Sequence, residues 1–179
     1  MTDDRPLTIL IADDSDTDRQ ILQAIVARDG HRVISARDGR EAVAEFERER
    51  PDLVLLDALM PNLDGFGAAR RIKALAGEAL VPIIFLTSLT DTESLVQCLD
   101  AGGDDFLSKP YNRVIIQAKI RAFNRMRAMH TTILDQRDQI SRHNQHLLQE
   151  QTVAKQVFDN IAHSGCLDSN NVRYYLSSL

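Results

Sequence analysis

Leu53-Val54-Leu55-Leu56-Asp57 is a short aliphatic run that ends on a carboxylate, and its reading decides the fold. Four apolar residues without polar alternation suit a strand buried on both faces, and the run is too short for a core helix. Further runs of this kind are Leu7 to Ala12, Ile83 to Leu86, the shorter Phe106-Leu107 and the weaker Val33-Ile34. Between them the apolar spacing is helical. Ile21, Leu22, Ile25 and Val26 share one face, Ala42, Val43 and Phe46 a second, and Leu95, Val96 and Leu99 a third. Strand and helix alternate five times, which predicts an α/β fold, a doubly wound parallel sheet covered by helices on both sides.

Ligands of such sheets bind beyond the carboxyl ends of the strands. Asp13 and Asp14, Asp57, Thr87 and Lys109 each follow an apolar run, so the topology gathers them into one site. Three carboxylates in a partly dry crevice repel one another unless a divalent cation neutralises them. Magnesium suits this role, because it takes oxygen ligands and is usually held by one or two carboxylates plus a phosphate oxygen. Asp57 is then a nucleophile for a phosphoryl group, in a reaction that depends mainly on positioning and charge neutralisation. Lys109 offers a point charge to one phosphoryl oxygen, and the Thr87 hydroxyl a hydrogen bond to another. Each residue alone has an ordinary explanation. An Asp-Asp pair after a strand is commonly a helix N-cap, for which Ser15 and Asp16 compete. A Thr at a strand end is usually a turn residue, and a Lys before Pro is usually solvated. The chemical reading rests on their conjunction.

The acidic pair, the run Leu55-Leu56-Asp57-Ala58-Leu59-Met60-Pro61-Asn62-Leu63-Asp64-Gly65, Thr87-Ser88 and Asp105-Phe106-Leu107-Ser108-Lys109-Pro110 resemble the receiver domains of bacterial two-component response regulators. The resemblance covers Leu7 to about Arg125. It implies a flavodoxin-like five-stranded sheet of order 2-1-3-4-5 and phosphorylation of Asp57 by a sensor histidine kinase or a histidine phosphotransfer protein. It also implies Mg2+ held by Asp14, Asp57 and the main-chain carbonyl of Leu59, with Asp13 acting through water. Phe106 matches an aromatic switch that packs inward when the hydroxyl matching Thr87 moves toward the phosphoryl group. The Lys109-Pro110 bond matches one that is commonly cis, a geometry that proline makes accessible.

The chain has 179 residues, of which 26 are acidic and 21 basic. The acidic excess lies before Arg113, and beyond it basic residues are in slight excess. Such an excess, spread along a helix, is a solvated face rather than a nucleic-acid stripe, so no direct nucleic-acid contact is expected. Cys98 and Cys166 have neither metal-ligand nor disulfide spacing. No signal peptide or membrane-length apolar stretch is visible, and the reading is of a cytoplasmic protein without a membrane partner. The expected division is a receiver over 1–125, a signalling helix over 126–163 and the start of an output domain over 164–179.

From about Asn112 to His163 the sequence has no Gly or Pro and predicts one long helix. Val114, Ile115, Ala118 and Ala122 are expected to pack on the sheet. Beyond Met126, Ile133, Ile140, Leu147, Ala154 and Ile161 recur every seven residues, the spacing of a coiled-coil seam. If these are d positions, the a positions are His130, Arg137, Asn144, Gln151 and Phe158. Polar a positions lower stability but fix register, which points to a parallel homodimer of modest strength.

After Gly165, the turn residues Ser169-Asn170-Asn171 and the alternation of Val172, Tyr174 and Leu176 read as the entrance to an output domain. His163-Ser164-Gly165-Cys166-Leu167 and Asn171-Val172-Arg173-Tyr174 resemble the start of sporulation-type PP2C serine phosphatase domains. That resemblance implies an output acting on a phosphorylated anti-sigma-factor antagonist. The chain itself would be no enzyme beyond self-catalysed phosphoryl transfer. The alternatives are a diguanylate cyclase output and a DNA-binding output.

Overall fold

The computed structural model describes residues 5–88 and 92–163, with the side chains of 92–95, 158, 159 and 161–163 excepted. The chain forms two compact units, Met1–Thr131 and Thr132–Leu179. The first holds β1 (Thr8–Ala12), α1 (Asp16–Arg28), β2 (Arg32–Ala36), α2 (Gly39–Glu49), β3 (Leu53–Asp57), α3 (Gly65–Ala76), β4 (Ile83–Thr87), α4 (Thr92–Asp100) and β5 (Asp105–Ser108). It also holds the beginning of α5 (Arg113–His163), whose remainder belongs to the second unit.

The strands form one parallel sheet in the order β2-β1-β3-β4-β5, the flavodoxin-like receiver topology. Every residue of β3 and β4 is buried, because alternate side chains enter two separate cores. Val54 and Leu56 join Phe46, Ile72 and Phe85 on one side. Leu53 and Leu55 join Leu22, Val26, Ile116 and Ile120 on the other. Burying side chains of this size stabilises by about 1.5–3 kcal/mol each. Edge strand β2 is partly exposed, which accounts for its weak sequence signal.

Helix α2 buries Ala42 and Phe46, with Val43 half-buried, as its periodicity predicts. Helix α1 likewise buries Leu22 and Val26 and packs Ile25 against the core, although Ile21 is exposed and Arg19 takes an inward position. Two other helices are rolled differently from the expectation. In α4 Cys98 joins the core, as does Ala101 just past the helix end, while Val96 and Leu99 face outward; the Leu95 side chain lies outside the described residues. In α5, Ile116 and Ile120 are buried while Val114, Ile115, Ala118 and Ala122 are exposed. The cause in α5 is polar. Arg113 and Gln117 both donate to the Asp29 carboxylate, at 3.0 and 2.6 Å, and Arg127 donates to Asp52 at 2.6 Å. These bonds fix the helix roll with Ile116 and Ile120 against the sheet.

Ser15 caps α1, Asp38 caps α2 and Asp64 caps α3, each accepting from a backbone N–H in the first turn. The capping residue of α1 is therefore neither Asp13 nor Asp14, and both carboxylates are left for other work. A Cβ on Gly65 would fall 2.1 Å from the Asp57 carbonyl oxygen, so only glycine lets α3 begin this close to the end of β3.

Candidate functional site

The chain passes from β1 to β2 on one side and then crosses to β3 on the other. The crevice between β1 and β3 is thus the switch point where ligands of open α/β sheets bind. Asp57 ends β3, and Asp13 follows the last residue of β1, whose register partner is Leu56. Asp13, Asp14 and Asp57 each offer an oxygen within 4.8 Å of the others. Asp13 and Asp57 are buried and Asp14 is exposed, so the cluster is closed below and open above.

Lys109 enters from the end of β5. Its backbone N–H donates to the Thr87 carbonyl at 3.0 Å, and the Lys109-Pro110 bond is cis. The ammonium donates to Asp57 Oδ2 at 2.7 Å, Asp18 Oδ2 at 2.9 Å and Asp13 Oδ2 at 3.1 Å. The other Asp57 oxygen, Oδ1, accepts the Leu59 N–H at 3.0 Å. Asp13 is held from several sides, with Oδ1 accepting the Ser15 N–H and Oδ2 accepting the Tyr111 hydroxyl at 3.2 Å. Burial and the nearby Asp13 charge raise the pKa of Asp57 above the ordinary carboxylate value, against the opposing pull of Lys109 and the Leu59 N–H. Burial alone would lower Lys109, but its hydrogen bonds to three carboxylates outweigh it and hold the ammonium protonated well above its usual range. Tyr111 is raised by burial and by the Asp13 charge, and stays a neutral donor.

The residues expected at the site divide into two groups. Asp13, Asp14, Asp57 and Lys109 come together directly. Thr87 ends β4, buried and in register with Ser108 of β5. Phe106 points outward, 38% exposed, with the Lys119 ammonium 6.0 Å from its ring centre. Three contributors have no apolar run to announce them: Asp18, Tyr111 and Arg19. The Arg19 guanidinium, only 8% exposed, donates to the Asp13 carbonyl at 2.7 Å and pairs with Asp16, pinning the loop that carries the acidic pair. No sequence signal marks it, because a charged residue on an amphipathic helix reads as solvated.

The donor set fits magnesium. All three candidate ligands are hard carboxylate oxygens, in a cluster whose buried members repel each other without a counter-charge. When bound, the cation would neutralise charge gathering on a phosphoryl group. In this chain the Leu59 N–H and the Lys109 ammonium fix the two Asp57 oxygens.

A sheet of this order with a buried strand-end carboxylate, an acidic cluster and a lysine gathered at the switch point is the arrangement of a receiver. The response regulator receiver domain profile matches residues 9–121, and the chain belongs to that family. A protein of Porphyridium aerugineum named probable transcriptional regulator ycf27 is 42% identical over 114 residues, covering 64% of this chain and 46% of that protein. The transcriptional regulatory protein CseB of Streptomyces coelicolor is 38% identical over 114 residues, covering 64% and 47%. The receiver domain of sensor histidine kinase PA1611 from Pseudomonas aeruginosa, solved with a magnesium ion in its active site cleft, is 34% identical with a TM-score of 0.62, covering 66% of this chain and 98% of that one. The chain spans less than half the length of each of these two regulators. Among the described residues no helix is long and apolar enough to cross a membrane.

Proposed function

We propose that this chain is the receiving half of a phosphorelay switch, in which Asp57 accepts a phosphoryl group from a kinase histidine or a histidine phosphotransfer protein. The observation that carries the reading is the fixing of both Asp57 oxygens, one by the Leu59 N–H and one by Lys109, beside the Asp13 and Asp14 carboxylates. Asp14, Asp57 and the Leu59 carbonyl would hold Mg2+, with Asp13 behind them. Thr87 and Phe106 would be the switch pair, the hydroxyl turning to the phosphoryl group and the ring leaving its outward position. Incubation with acetyl phosphate tests this by intact mass. The wild type should gain the mass of one phosphoryl group with magnesium and none with a chelator, and Asp57→Asn should gain none. An equal gain in Asp57→Asn would end the reading.

The seam Ile133, Ile140, Leu147 and Ala154 is exposed, and it is read as the pairing face of a parallel homodimer with Asn144 at a register-setting a position. Exposed Leu148 and Val157, at positions beside the seam, widen that face. The side chains of Phe158 and Ile161 lie outside the described residues. For the output, the names of the two relatives support transcriptional control through a DNA-binding domain elsewhere in the protein. Neither is named for phosphatase activity, and residues 164–179, on which the phosphatase resemblance rests, lie outside the described residues. Reading the coding sequence past Leu179 separates the two, since a basic helix-turn-helix pattern supports the first and paired metal-binding aspartates the second.

A further inference from the structure

Lys109 has three N–H donors and no acceptor, and in this structure each donor has a carboxylate to meet. Two of those carboxylates, Asp57 and Asp13, belong to the site just described. The third, Asp18, is a contributor from the rim with no part assigned to it so far. It sits in the first turn of α1, 91 residues away in sequence, and it is absent from the cluster of candidate metal ligands. Its Oδ2 nevertheless lies 2.9 Å from the ammonium, closer than Asp13 at 3.1 Å. The Asp18 N–H donates to the Ser15 Oγ that caps the helix, so the backbone holds this carboxylate on the rim of the site. Its side chain is 29% exposed and can turn into water without leaving a buried charge behind.

Any phosphoryl oxygen that bonds to Lys109 needs one of these donors. Asp13 is fully buried and its Oδ2 also accepts from Tyr111, so it is poorly placed to move. Asp18 is the acceptor that can yield. We propose that Asp18 is a positioning residue that competes with the phosphoryl group for the Lys109 ammonium, so that the site holds a phosphoryl group more weakly than its other residues would allow. The proposal rests on the reading of Asp57 as phosphoacceptor.

Beryllofluoride with magnesium is the probe, titrated calorimetrically into the full chain. Losing one charge-assisted hydrogen bond to the lysine should tighten beryllofluoride binding by roughly fivefold in Asp18→Asn. Asp18→Ala, which removes the acceptor as well as the charge, should gain at least as much. Asp16→Asn, on the same helical turn but paired with Arg19, should leave the affinity unchanged. Magnesium titrated alone should bind no more tightly to the Asp18 variants than to the wild type. A purely structural role would shift melting temperatures and leave these affinities alone. Unchanged affinity in both Asp18 variants, an equal gain in Asp16→Asn, or a matching gain for magnesium alone would each overturn the competition. A wild type that binds no beryllofluoride would instead overturn the phosphoacceptor reading beneath it.

Discussion

Strands β3 and β4 expose no residue, whereas between Thr132 and Val157 every side chain except Leu134 is exposed. Both regions are rich in leucine and isoleucine. The difference lies in who supplies their neighbours. In the receiver, α1 and α5 cover one face of β3, α2 and α3 cover the other, and β1 and β4 flank its edges, so the unit carries the hydrophobic burial that its ordering requires. The helix from Thr132 has good intrinsic propensity and an apolar stripe, but helices of this kind are marginal in water without a packing partner. One region carries its own core, and the other buries almost nothing among its described residues.

The contrast can be broken most severely at Gly65. Gly65→Ala should destabilise the receiver by about 3 kcal/mol or more, since its new methyl meets backbone that cannot give way; urea unfolding reads this. A sharper comparison uses two isoleucines of the same helix. Ile120→Ala should cost about 3 kcal/mol, because Ile120 is 2% exposed in the core. Ile140, 62% exposed, should change receiver unfolding by less than about 0.5 kcal/mol on the same substitution while lowering self-association measured by light scattering. Equal effects of the two would dissolve the distinction between the regions.

Charge gives smaller effects. Burial and Asp13 raise Asp57, so folding favours its protonated form, and that contribution is lost as pH rises through the folded value. Asp57→Asn should therefore raise the melting temperature near neutrality by several degrees, with the gain shrinking in acid. A gain independent of pH would assign it to something other than the charge. Asp29 has the opposite sign. Burial works against its ionisation, but hydrogen bonds from Arg113 and Gln117 outweigh it and lower the group below its ordinary 3.8. Its contribution is present above that value and is lost as pH falls through the folded one. Asp29→Asn should remove about 0.5 kcal/mol at neutral pH and less in acid, as melts across that range would show.

What could be read from the sequence follows the same division. Strands buried on both faces announce themselves as unbroken apolar runs, and the switch-point rule then converts strand ends into a site. That is why Asp13, Asp14, Asp57 and Lys109 were legible. The edge strand β5 has only Leu107 buried, and its signal was two residues long. Helix roll was illegible where apolar residues are adjacent. Val114, Ile115 and Ile116 are equivalent by composition, and Asp29 and Asp52, both distant in sequence, select Ile116. Asp18 and Arg19 were illegible for a related reason, since a charged residue on an amphipathic helix looks solvated until the fold brings Lys109 or the Asp13 carbonyl beside it.

The most direct test of the account is to find which residue carries the phosphoryl group. Wild-type protein phosphorylated with acetyl phosphate and magnesium would be reduced with borohydride, which converts an acyl-phosphorylated aspartate to homoserine, and then mapped by peptide mass. The account requires homoserine at position 57 and at no other aspartate, and reduction at Asp13, Asp14 or Asp18 with position 57 intact would contradict it.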